Sequence, residues 1–213
     1  MFKHLALSLA AAAAFSAALP ASAQAPAPAS PTIRLRATIE KVDAGSLTVR
    51  ERSGEVITLV RPAEMDVSEV YPISLADIKP NSYVGTAATP QADGTQLAIE
   101  VLVFPESARG GGEGHRPWDL QPDSTMTNAT VDGIAAAPST VPGGQKLTLK
   151  YKGGEKTVIV PPNVPVVSFK PGKADENVLL VPGAKVIITA QEVQGKPTAL
   201  RLLVGRNGFA PPM

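Results

Sequence analysis

Apolar and polar positions alternate with a period of two along much of the chain, as in Ser46-Leu47-Thr48-Val49-Arg50 and Lys146-Leu147-Thr148-Leu149-Lys150. Successive side chains of a strand point to opposite faces, so this spacing predicts half-buried β-strands. Ser53-Gly54, Asp93-Gly94 and Gly153-Gly154 interrupt the alternation and suit tight hairpin turns. Helical periodicity is scarce. A single helical turn is predicted around Ser74-Leu75-Ala76-Asp77-Ile78, stopped by Pro80.

The strand pattern occurs twice. Ala37-Thr38-Ile39-Glu40 corresponds to Ala129-Thr130-Val131-Asp132, Leu47-Thr48-Val49-Arg50 to Leu147-Thr148-Leu149-Lys150, and Leu59-Val60-Arg61-Pro62 to Ile159-Val160-Pro161-Pro162. Further on, Ile78 to Val84 matches Leu180 to Val186, and Leu97 to Val103 matches Thr198 to Val204. The economical reading is an internal duplication. It predicts an all-β protein of two tandem small barrels, at 33–106 and 127–206, each closed or half-closed, which removes exposed strand edges.

The order of an opening strand, a Leu-Thr-Val hairpin, a loop with a short turn, Asp77-Ile78-Lys79-Pro80-Asn81-Ser82-Tyr83-Val84 and a last strand after Asp93-Gly94 resembles a secreted bacterial family of OB-like barrels catalogued as a domain of unknown function. Both halves carry it, the second with Leu179-Leu180-Val181-Pro182-Gly183 in place of the Asp-led version. The resemblance implies two tandem OB-like barrels and a location outside the cytoplasm. It brings no catalytic residues with it.

The flanks agree with export. Lys3, an apolar stretch from Leu5 to Leu19 and Ala21-Ser22-Ala23 read as a cleavable signal peptide over 1–23, too short and alanine-rich for a transmembrane anchor. Residues 24–32 form a Pro/Ala-rich tether, and 207–213 a C-terminal tail. A periplasmic location is expected.

Composition narrows the chemistry. The 213 residues include 20 Lys plus Arg against 19 Asp plus Glu, without the basic excess of a nucleic-acid binder. There is no cysteine, which removes disulfides, thiolate catalysis and cysteine metal sites. The halves differ in charge, with 7 basic against 11 acidic residues over 33–106 and 10 against 5 over 126–206. Either each half faces an oppositely charged partner, or the two complement each other within the chain.

Candidate chemistry gathers in a Gly-rich linker, 107–126. Gly110-Gly111-Gly112-Glu113-Gly114 precedes His115-Arg116-Pro117-Trp118-Asp119, which holds the only tryptophan and, after export, the only histidine. As a binding segment it offers His115, Arg116, Trp118, Asp119 and Met126; Arg and Trp are frequent interface anchors, although Trp118 can instead plug the groove between the barrels. As a metal set, His115, Met126, Asp119 and Asp123 suit copper, or calcium through oxygen ligands. One histidine without cysteine argues against tight zinc. The triad candidates Ser124, His115 and Asp119 lie on a Pro/Gly-rich loop without a rigid scaffold, so no enzyme is expected. The sequence thus points to a non-enzymatic binding or envelope-adaptor module working through the linker; the alternative is a carrier of metal or a small ligand.

Overall fold

The computed structural model describes residues 31–170 and 175–212; the signal segment and nearly all of the tether lie outside them. The fold is all-β. Its strands are β1 (Thr32–Val42), β2 (Ser46–Glu51), β3 (Val56–Val60), β4 (Asp66–Pro72), β5 (Tyr83–Pro90), β6 (Gln96–Val103), β7 (Gly114–Pro117), β8 (Thr125–Ala136), β9 (Gln145–Tyr151), β10 (Gly154–Val160), β11 (Val166–Phe169), β12 (Lys185–Val193) and β13 (Lys196–Gly205). The helical turn predicted near Ser74 is present as a 3-10 turn over Leu75–Asp77. The Ser74 hydroxyl accepts from Ala76 N, and the Asp77 carboxylate accepts from Ser74 N. A one-turn helix α1 (Glu176–Leu179) takes the corresponding place in the second half.

Strand pairing departs from the expected boundaries. β1, β2 and β3 form a meander. β1 then pairs antiparallel with β12, and β3 meets β13 in parallel at Val60 and Thr198, so a circuit β1-β2-β3-β13-β12 closes. The meander β8-β9-β10 closes instead on β5 and β6, antiparallel to β5 and parallel to β6. Each half therefore gives its last hairpin to the other half's meander. Neither 33–106 nor 127–206 closes on itself.

The cause lies in β4 and β11. Between Asp66 and Tyr71 there is no Gly, Pro or Asn to reverse the chain, and a seven-residue strand advances about 20 Å. β4 runs parallel to β13 and then antiparallel to β11, with Val70 opposite Phe169 and Pro72 opposite Val167. β11 does the same beside β6. The chain thus leaves one circuit on β4, and the hairpin that follows belongs to the other.

The alternation places the cores. Ile39, Leu47, Val49, Leu59, Ile188 and Leu202 fill the first circuit, together with Leu179 at the end of α1 and Leu180 just after it. Val84, Val101, Val131, Leu147, Leu149 and Val158 fill the second, with Ile78 just after the 3-10 turn. A third apolar cluster, Val70, Leu102, Val167, Phe169 and Ile187, lies between them, and the tail residue Phe209 packs on it. β5 is buried on both faces from Tyr83 to Ala88, because one face looks into its circuit and the other onto this middle layer.

The charge asymmetry is satisfied partly within the chain. The Glu69 carboxylate of the acidic half, 6% exposed, accepts from Arg206 at 2.7 and 2.9 Å and from Lys170 at 3.0 Å. Arg201 lies 3.5 Å from Asp66. Basic residues of the second half thus meet acidic residues of the first across the middle layer.

Candidate functional site

The linker is not a free hinge. Glycine turns, with Gly111 N donating to Ala108 O and Glu113 N to Gly110 O, fold it back so that β7 pairs antiparallel with β8. β7 occupies the edge of β8 that β9 occupies further along. The Glu113 carboxylate accepts from Lys152 N and fastens this extension to the β9–β10 turn.

The pleat then separates the predicted site residues. In the β7–β8 register His115 stands opposite Thr127, and Arg116 opposite Met126. Opposed residues share a face and neighbours do not, so His115 and Met126 point to opposite sides of the hairpin. His115 Nδ1 lies 2.8 Å from Thr127 Oγ1. Burial, and after it the charges of Lys156 and Arg116, lower its pKa. Asp119 is engaged elsewhere, by Arg36 at 2.9 and 3.2 Å and by Arg34 at 3.3 Å. The arginine hydrogen bond and charge hold its carboxyl below the ordinary range. Asp123 is exposed at a turn with φ of 59°. The four residues of the expected copper or calcium set are therefore not brought together, and no cluster of three His, Cys, Asp or Glu suited to a metal occurs among the described residues.

The triad candidates are separated in the same way. The Ser124 hydroxyl lies 2.7 Å from Gln121 O and 3.0 Å from Trp118 O, closing the loop between β7 and β8, while His115 and Asp119 keep the partners just described.

Arg116, Trp118 and Met126 do converge, on a groove of about 730 Å³ between the two circuits. Its floor is apolar, with Leu102, Phe104, Phe169, Ile187 and Leu203; Phe104 packs between Tyr83, tilted, and Phe169, edge-on, at centroid distances of 5.2 and 5.9 Å. Its wall is cationic: Arg34, Arg109, Arg116, Lys170 and Arg201 line it against one carboxylate, Asp66. The Arg34 guanidinium carbon is 3.9 Å from the Trp118 ring centroid, and that of Arg116 is 5.4 Å away, so both fall within cation–π reach of one indole. Asp119, next along the chain, grips β1 from the same loop.

No family model, curated protein or solved structure matches this chain. The site therefore rests on its own geometry.

Two groove features depend on small residues. A methyl group on Gly85 would lie 2.8 Å from Asn128 Oδ1 and 3.2 Å from Phe104, so only glycine lets these side chains meet there. Gly112, at φ of +60°, brings its carbonyl 2.7 Å from Arg116 Nη1.

Sequence reasoning missed Arg34, Phe169 and Arg201 on strands and Phe104 just after β6, whose convergence shows only after the circuits are known. It also missed Glu100 on β6, which is 1% exposed, with neither carboxylate oxygen hydrogen-bonded among the described residues. Burial pushes its pKa up to about 8, against the pull of Arg36, Arg34 and Arg52. A charged residue inside Leu97-Ala98-Ile99-Glu100-Val101-Leu102-Val103 was the available signal.

Proposed function

We propose that this chain is a non-enzymatic binding protein of the periplasm, built from two OB-like units related by duplication, which holds a small ligand in the groove between its two circuits. The observation that carries the reading is the placement of Arg116 and Trp118. The linker's two anchor-type residues line a groove of about 730 Å³, within the usual size range of small-molecule sites. With both side chains turned into that wall, a small ligand is favoured over a docked envelope protein.

The duplication draws support from paired details. Each circuit has a three-strand meander, a parallel closing contact and a helical turn before its last hairpin. The register shifts at Ile39/Lys41 and Val131/Gly133, and those at Ala87/Ala88 and Thr189/Ala190, fall at corresponding places. The ion pair Arg50–Glu40 has its counterpart in Lys150–Asp132. Export rests on the signal pattern of residues 1–23.

The test is backbone amide NMR of the folded protein titrated with a panel of neutral, anionic and cationic small molecules. Saturable shifts centred on Gly112, Arg116, Trp118, Asn128 and Arg201 are expected. Shifts that cluster only on other faces, or no saturable shift with any member, would remove the groove as a binding site.

A further inference from the structure

We propose that the groove's ligand is a free, single-tailed amphipathic oxyanion, with a carboxylate or phosphate head held between Arg34 and Arg116 and an apolar tail laid on Phe104, Phe169 and Leu102. This rests on the groove reading above and adds the class of ligand.

Charge supplies the first part. Arg34, Arg36 and Arg116 gather around the Trp118–Asp119 loop, where Arg34 and Arg36 share the Asp119 carboxylate. Arg36 binds it through two nitrogens and Arg34 through one. Among the described residues Arg116 donates to the Gly112 carbonyl and to no carboxylate. Arg34 and Arg116 line this end of the groove, whereas Asp119 lies outside the lining and is held mainly by Arg36, so the groove wall here carries an excess of positive charge. Glu100, buried near Arg34 and Arg36 with its pKa raised to about 8, is mostly protonated at neutral pH and does not cancel it. Like charges held together in a partly desolvated site repel one another, and an incoming oxyanion relieves that repulsion while accepting charge-assisted hydrogen bonds.

The floor supplies the second part. Phe104 and Leu203 are partly exposed members of the middle apolar cluster, and they line the groove beside Leu102, Phe169 and Ile187. A hydrophilic anion would leave this surface in water, whereas a tail covers it and gains the free energy of burying apolar area. Two oppositely suited regions in one groove thus define an amphiphile with its charge at one end.

Trp118, the only tryptophan of the chain, lies at the head end and reports directly. Its emission is followed while decanoate, decyl phosphate, decanol, decyltrimethylammonium and inorganic phosphate are added, each amphiphile below its aggregation limit. Decanoate and decyl phosphate are expected to give saturable changes with Kd at least about tenfold below that of decanol, with no saturable change from the cationic amphiphile. Arg116→Gln is expected to weaken decanoate about tenfold or more, and His115→Ala, on the opposite face of the hairpin, to leave it unchanged. Should Arg116→Gln not fold, raising salt on the parent protein serves instead, because it weakens an ionic head contact and spares the decanol contact.

The outcomes separate. Decanol binding as tightly as decanoate, without effect of Arg116→Gln or salt, overturns the anionic head and keeps the groove. Inorganic phosphate competing as well as decyl phosphate overturns the tail. Binding of the anionic probes only when presented in phosphatidylglycerol vesicles overturns the free amphiphile in favour of a membrane surface. No response to any probe, with the amide titration also silent, removes the groove reading together with its ligand.

Discussion

The Arg34 guanidinium stands 3.9 Å over the ring of Trp118, 84 positions further along the chain. One residue belongs to the first strand and the other to the linker, and the adjacent Asp119 reaches Arg36 two residues along the same strand. The linker therefore clamps the two circuits together while it forms one wall of the groove.

Asp119→Ala releases this clamp. The carboxylate is half exposed and Arg36 largely buried, so a loss of about 1 kcal/mol is expected, with Trp118 emission shifted to the red. Urea unfolding followed by fluorescence measures both. Asp119 has a folded pKa below its ordinary value, so its contribution is complete above the unfolded pKa of about 4 and is lost as pH falls through the lower folded value. Parent and variant should accordingly converge in acid. An unchanged midpoint and emission at neutral pH would show that the loop is held by other contacts.

Glu100 acts with the opposite sign. Its folded pKa, about 8, lies above the ordinary glutamate value, so the folded state binds the extra proton between the two. Its penalty is absent below about pH 4, grows as pH rises, and is complete above about 8. Glu100→Gln removes the titration, and its stability gain over the parent should increase by a few kcal/mol (order of magnitude) from pH 5 to pH 9. Thermal melts of both proteins across that range test this; a constant difference would place an ionised Glu100 in the native protein at pH 5.

Gly85→Ala inserts a methyl group against Asn128 Oδ1 and Phe104. Neither neighbour is the loose end of a long chain, since Asn128 is 6% exposed and tied to Gly111 O and Phe104 is packed between two rings. A loss of about 1–3 kcal/mol follows from overpacking. Denaturant titration checks it, and unchanged stability would mean that the groove floor yields more readily than a packed core.

Exchanged hairpins make each half depend on the other. Residues 31–108 retain the first meander but lack β12 and β13, which bring Ile188, Leu202 and Val204 to its core. As a monomer this fragment is expected to give no cooperative melt, and mixing it with 109–213 should restore one. Circular dichroism and size-exclusion chromatography of the fragments, alone and mixed, decide the matter. A cooperative monomer from 31–108 would show that the hairpin can close on its own meander.

What the residue pattern determined was local. Alternation around Leu47 and Val49, and again around Leu147 and Leu149, determined strands and their inward faces, because period-two burial needs only the pleat and one apolar side. Gly54, Gly94 and Gly153 marked real turns, each at positive φ, and Ser74 with Asp77 marked the 3-10 turn, since these depend on a few adjacent residues. Of the linker side chains singled out in the sequence, Arg116, Trp118 and Met126 line the groove, while His115, Asp119 and Asp123 do not. The tertiary structure alone decided which hairpin closes which meander. Two halves with similar apolar patterns offer nearly equivalent partners, and the choice follows from where β4 and β11 carry the chain. It also decided which linker residues act together, for one step of the pleat turns His115 away and brings Arg116 beside Met126, while Arg34 and Phe169 reach the same groove from distant strands.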